Sequence, residues 1–279
     1  MTQAEIVNIL SVDIEDYFQV EGFNDLIRRE EWDRYEVRFQ LGLEWLLQIL
    51  DSARIKATFF VLGWIAERYP QEIAEISRRG HEIGVHGYSH RRVDSLKPAE
   101  FRAEIERSLA ALKSLGANDI RGYRAPSFSI TPAVPWAWDT IVECGLSYDA
   151  SLSVRYYPSR QIPWTKPNPG PQTVRTSQGR KLRLFPQAYW PILDRIPFAG
   201  GGYFRLYPYW MTRWGIRNWN RRGVPVTVYV HPWEFDAQQP HIPAGRLRRF
   251  KHYVNIETNR EKFARLLQDF QFSPCRDHL

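Results

Sequence analysis

A chain of 279 residues with 43% hydrophobic content can bury a full core, which excludes a disordered polymer and suits one large α/β domain better than two small ones. Two cysteines, Cys144 and Cys275, give no disulfide framework, and the start Met-Thr-Gln-Ala-Glu lacks the basic and long apolar regions of a signal peptide. A soluble, cytoplasmic protein without a membrane span is therefore expected. The net charge of +7 permits attraction to polyanions. The basic clusters at 217–222 and 246–251 carry no nucleic-acid-reading motif, so no nucleic-acid partner is expected, and the clusters read as a solvated face or as peripheral contact with an anionic surface such as a membrane.

Residues 6–13 form a β-branched apolar run that ends on Asp13, which predicts a buried first strand with Glu15 and Asp16 just beyond it. Leu41, Leu43, Leu46, Leu47 and Leu50 predict an amphipathic helix over 37–53. A strand at 57–62, a helix at 63–79 and a strand at 81–85 follow. Next come a charged helix at 98–115, a strand running into a turn at 121–129 and a helix at 135–145. This alternation is the pattern of a parallel sheet or barrel with crossover helices. Prolines and the Gly200-Gly201-Gly202 run predict long shaped loops over 154–209. A strand at 224–231 ends on His231, and Phe263, Leu266, Leu267 and Phe270 predict a terminal helix.

His86 and His90 stand four positions apart on a glycine-rich segment, where two imidazoles can reach one ion if the backbone turns between them. The pair alone is a weak signal, since such spacing also occurs on solvated faces and in cores. Its weight comes from position: Asp13 with Glu15 and Asp16, His86 with His90, Arg124, and His231 all fall at the same end of successive predicted strands. In parallel α/β folds that end is where sites are built. Two imidazoles and a carboxylate leave coordination positions open on zinc or a similar ion, which points to metal-dependent hydrolysis.

These residues resemble the polysaccharide deacetylases with a NodB homology domain, carbohydrate esterase family 4. The matching stretches are Ser11-Val12-Asp13-Ile14-Glu15-Asp16, His86-Gly87-Tyr88-Ser89-His90, Arg124-Ala125-Pro126-Ser127 and Val230-His231, with Asp149 after Tyr148 as a further candidate. Val12-Asp13-Ile14-Glu15-Asp16-Tyr17-Phe18, Gly201-Gly202-Tyr203-Phe204-Arg205 and His231-Pro232-Trp233-Glu234 resemble the branch of that family found beside exosortase (PEP-CTERM) exopolysaccharide loci, which has its own C-terminal extension.

The resemblance implies an α/β fold of the distorted (β/α)-barrel type, with about seven parallel strands and outer helices. It divides the chain into a barrel over 1–235, with a loop-rich insertion at 154–209, and an extension over 236–279 packed on the same domain. It implies removal of acetyl groups from N-acetylated sugars of an exopolysaccharide or a lipid-linked precursor. His86 and His90 would bind one divalent metal with Glu15 or Asp16, zinc first and cobalt, nickel or manganese as alternatives. Asp13 would be the general base, Arg124 its orienting partner and His231 the general acid. A backbone N–H near Ser127 would meet the oxyanion, with Asp149 and the unused acid behind it; Tyr203 and Trp233 are read either as substrate contacts lining a sugar groove or as core packing. Two departures stand out: the usual adjacent aspartates are here separated by Ile14, and Ser127 stands where the family often has Tyr. Hydrolysis of another linear or cyclic amide, as in allantoinase-like relatives, and non-catalytic glycan binding are the alternatives.

Overall fold

The computed structural model describes residues 6–153, 169–193 and 196–279. Its sheet contains β1 (Val7–Ile14), β2 (Thr58–Val61), β3 (Glu82–Val85), β4 (Gly122–Tyr123), β5 (Tyr148–Asp149), β6 (Gln172–Arg175), β7 (Lys181–Leu184), β8 (Thr227–Val230) and β9 (Gln271–Ser273). The order is β6-β7-β5-β4-β3-β2-β1-β8, parallel except for the β6–β7 hairpin, with β9 alongside the start of β1. Bridges from Gln187 to Thr227 and from Gly200 to Tyr229 bring the chain beyond β7 back onto β8, so the sheet curls into a distorted barrel.

The crossovers are α1 (Phe39–Ala53), α2 (Gly63–Arg68), α3 (Pro70–Arg78), α4 (Pro98–Ser114), α5 (Ala137–Glu143), α6 (Gly201–Leu206) and α7 (Tyr209–Arg221). After β8 come α8 (Arg246–Tyr253) and α9 (Ile256–Asp269). Two expectations need correction. The helix expected over 63–79 is two helices, because Pro70 opens a new one and has no N–H to continue the first. The stretch 154–209 is not all loop. Lys181 to Leu184 alternates exposed and buried side chains and forms a sheet strand, and Gly201–Leu206 is helical. The part at 154–168 lies outside the described residues.

Side-chain alternation explains how the barrel carries a polar interior inside an apolar shell. On β1, Leu10, Val12 and Ile14 join the main core under the helices. Ile9, Ser11 and Asp13 point the other way: Ile9 packs with Phe60, Tyr148 and Phe185, while Ser11 and Asp13 meet Arg124. Neighbouring strands repeat the rule, so that the Thr58 and Tyr148 hydroxyls both donate to the Glu82 carboxylate within the barrel.

The residues after β8 pack onto the same core. α1 passes so close to the turn at Pro232–Phe235 that a Cβ on Gly42 would sit 1.9 Å from the Pro232 carbonyl oxygen. Phe263 of α9 packs on Phe235 and Trp45, and β9 pairs with β1. Among the described residues no helix is long and apolar enough to cross a membrane.

Candidate active site

Continuing the alternation past the strand ends gathers the predicted residues. Asp13 and Glu15, two apart, share the inner face, whereas Asp16 turns away. His86 follows β3 in the same register as Glu82 and Gly84. Gly87, at φ 75°, and His90, at φ 52°, turn the backbone so that the second imidazole returns to the first. That loop is tied down from outside: Glu104 accepts from the N–H groups of Tyr88 and Ser89, and Arg29 donates to the carbonyls of Ser89 and His90.

The structure thus brings Glu15, His86 and His90 together, all buried, with ligand atoms within 4.8 Å of one another. His86 Nδ1 lies 2.8 Å from the Arg124 carbonyl oxygen, which can only accept, so Nδ1 carries the proton and Nε2 keeps its lone pair for the site. Burial pushes His86 down to about 4, leaving a neutral imidazole. Burial works to raise the Glu15 carboxyl, but His90, His231 and His86 outweigh it and hold the group well below the usual carboxylate range. Glu15 Oε2 sits 2.7 Å from His90 Nε2, and among the described residues His90 Nδ1 is buried without a hydrogen-bond partner. A buried carboxylate crowded against two imidazoles with converging ligand atoms fits a divalent cation. Asp16 has other work: its carboxylate accepts from the N–H groups of Tyr17, Arg38 and Phe39 and so caps the start of α1.

Asp13 is 2% exposed, and Arg124 NH1 donates to its Oδ1 at 2.7 Å. The guanidinium also donates to Ser11 Oγ and the Ala150 carbonyl. Asp149 reaches this group indirectly. It accepts from Ser151, whose hydroxyl oxygen accepts from the Ala125 N–H, and from Trp138 Nε1. Burial raises its carboxyl to about 6. Ser127 follows in the left-handed region, at φ 54° and ψ 26°, on the wall of the cavity.

His231 Nε2 lies 3.5 Å from Glu15 and 3.9 Å from Asp13 Oδ2. Its Nδ1 lies 3.2 Å from Glu234, which is paired in turn with Arg205 at 2.7 Å, both side chains being 1% exposed. Burial opposes the imidazolium, but Glu15, Glu234 and Asp13 together hold it up to about 9. A cation beside Glu15 would offset that carboxylate and bring the value back down.

Trp233 lines the cavity, but it is 4% exposed and its ring stacks on His231, at 5.3 Å, and on His252, at 4.3 Å, which leaves little of it open to a sugar. Its Nε1 instead donates to Glu15 Oε1 at 3.1 Å. Tyr203 also lines the cavity, whose volume is about 650 Å³; Phe23, Phe128, Leu206, Leu247 and Phe250 contribute apolar walls. Sequence reasoning assigns no role to Glu234, Arg205, Arg29 or Glu104. Glu234 and Arg205 stand in stretches that carry the family resemblance, whereas Arg29 and Glu104 give no signal.

Glu234 supplies a stability test. Glu234→Gln leaves Arg205 buried without its counter-charge and is expected to cost about 3–5 kcal/mol. Although burial opposes it, Arg205 and His231 lower the Glu234 carboxyl from 4.5 to about 2. A depressed carboxyl stabilises fully above its ordinary pKa and loses that contribution as pH falls through the folded value. The Tm difference between wild type and variant should therefore close as pH drops from 4.5 toward about 2. A difference independent of pH would show that the charge is not what matters.

Residues 41–148 match the family model described as polysaccharide deacetylase, and residues 155–279 match one described as a domain of unknown function, DUF3473. The first stretch contains His86, His90 and Arg124. Over 156 residues the chain is 31% identical to the peptidoglycan deacetylase-like protein FGM2 of Gibberella zeae, covering 48% of this chain and 44% of that protein. Over 128 residues it is 33% identical to a peptidoglycan-N-acetylglucosamine deacetylase of Bacillus cereus, covering 38% of this chain and again 44% of the relative. The chain therefore matches less than half the length of these curated relatives. A putative polysaccharide deacetylase from Mycobacterium smegmatis shares the fold, with a TM-score of 0.62 at 20% identity, over 99% of this chain and 91% of that one.

Proposed function

We propose that this protein is a metal-dependent hydrolase that removes acetyl groups from N-acetylated sugars of a bacterial exopolysaccharide or its lipid-linked precursor. The observation that carries the reading is one cavity lined at once by Glu15, His86 and His90, by Asp13 and by His231. A binding module has no use for a base and an acid set 3.9 Å apart across a cluster of ligands. A divalent cation held by Glu15, His86 and His90, zinc by preference, would lower the pKa of a water and polarise the acetyl carbonyl.

The protein's own groups do the rest. Arg124 occupies Asp13 Oδ1, which leaves Oδ2 to take the proton of the attacking water. The backbone N–H near Ser127 offers a donor to the carbonyl oxygen as it becomes charged. His231 Nε2 then protonates the departing sugar nitrogen, while Glu234 fixes the ring through Nδ1. Acetate and the free amine are the products. The exopolysaccharide assignment is supported by the resemblance of the Val12–Phe18, Gly201–Arg205 and His231–Glu234 stretches to exosortase-associated relatives. On this reading 1–235 is the catalytic barrel, and the 236–279 extension completes the cavity wall through Leu247, Phe250 and His252.

The test is acetate release from N-acetylglucosamine oligomers by the purified protein, before and after chelation and with zinc or cobalt restored. Acetate should appear, vanish with the chelator and return with metal. Acetate release that survives complete metal removal would sink the metal-dependent reading. No release in the presence of a stoichiometric bound metal would move the substrate to another amide.

A further inference from the structure

Exposed apolar side chains and cations stand together on α8 at the cavity wall, and a second set stands on α7. On α7 the exposed positions Trp210, Trp214, Arg217 and Arg221 follow one another at helical spacing, so one solvent stripe runs from two indoles to two guanidiniums. Trp210 is 69% exposed. Trp190 packs against Trp214 with ring centroids 6.0 Å apart, and the turn beyond it leaves Ile192 70% exposed and Leu193 52% exposed.

On α8, Leu247 and Phe250 line the cavity yet are 65% and 54% exposed. Arg248 pairs with Asp25, whereas Arg246, Arg249 and Lys251 have no ion pair among the described residues. α6 connects the two helices. Arg205 donates to the carbonyls at the end of α8, and the exposed Leu206 beside it lines the cavity before the chain enters α7.

A polyanion in solution would use the cations of α8 but gain nothing from the exposed Leu206, Leu247 and Phe250 set among them at the cavity wall. A bilayer satisfies both: indoles sit at the headgroup level, aliphatic side chains enter the acyl boundary, and arginines meet anionic headgroups. We propose that α8 with Leu206 docks on an anionic lipid bilayer, with the exposed indoles of α7 entering the same interface, so that the cavity opens at the membrane surface. The proposal goes beyond the hydrolytic reading, and its test reads binding alone, so failure of either leaves the other standing.

The full chain is mixed with vesicles of phosphatidylcholine, with or without phosphatidylglycerol, and bound protein is separated by centrifugation. Affinity for the anionic vesicles should be at least about tenfold higher, and tryptophan emission should shift to the blue on binding. Trp210→Ser should weaken binding with an unchanged Tm, as should Leu247→Ser with Phe250→Ser; Arg246→Gln with Arg249→Gln should erase the preference for anionic lipid. Absence of binding overturns the proposal. So does binding that the arginine variants abolish but the apolar variants leave intact with no blue shift, since that is attraction to any polyanion.

Discussion

Asp13→Asn is expected to lower acetate release by roughly a hundred- to ten-thousandfold, the usual contribution of a positioned base. The amide keeps the volume and can still accept from Arg124, but it cannot take a proton from water. Arg124 then loses the carboxylate that pairs with it at 2.7 Å, so a loss of stability accompanies the loss of turnover. Ser11→Ala separates the two effects, because it removes another acceptor of Arg124 without touching the base. It should lower Tm and leave turnover within a few-fold. Near-normal acetate release by folded Asp13→Asn protein would show that the base lies elsewhere.

His86→Ala and Glu15→Gln should remove the metal, and Asp16→Ala should not. The affinity loss should exceed the roughly 10–100-fold typical of changes behind the ligands. Metal content after dialysis, measured by mass spectrometry, gives the comparison. Asp16→Ala should instead cost about 0.5–2 kcal/mol, the usual range for losing a helix cap, because two N–H groups at the start of α1 lose their acceptor. Loss of metal from Asp16→Ala with retention in Glu15→Gln would reverse the assignment.

The choice between those two acids shows how far the sequence reaches. Asp13-Ile14-Glu15-Asp16 offers three carboxylates, and the strand period of two already sorts them, since Asp13 and Glu15 share a face that Asp16 does not. The same period carries Ser11 to Asp13, Gly84 to His86, Gly122 to Arg124 and Tyr229 to His231, so the inward residue at each strand end was legible once the strands were. Trp233 shows the opposite limit. An aromatic next to a predicted site reads equally as a sugar platform or as packing, and here its ring stacks on His231 and on His252, nineteen positions further on. Nothing local to Trp233 announces that second ring.

What the sequence determined by itself is whatever depends on short-range periodicity: buried parallel strands, the helices between them, and polar residues at their shared ends. The tertiary structure alone decided what depends on contacts between distant segments. It set Arg205 against Glu234, turned Trp233 Nε1 toward Glu15, capped α1 with Asp16 and brought α8 to the cavity wall. The physical reason is that alternation fixes which face of an element is apolar, whereas the partner that a buried charge finds is fixed by how the elements pack. In a chain this basic, many arginines could have served, and burial selected Arg124 and Arg205.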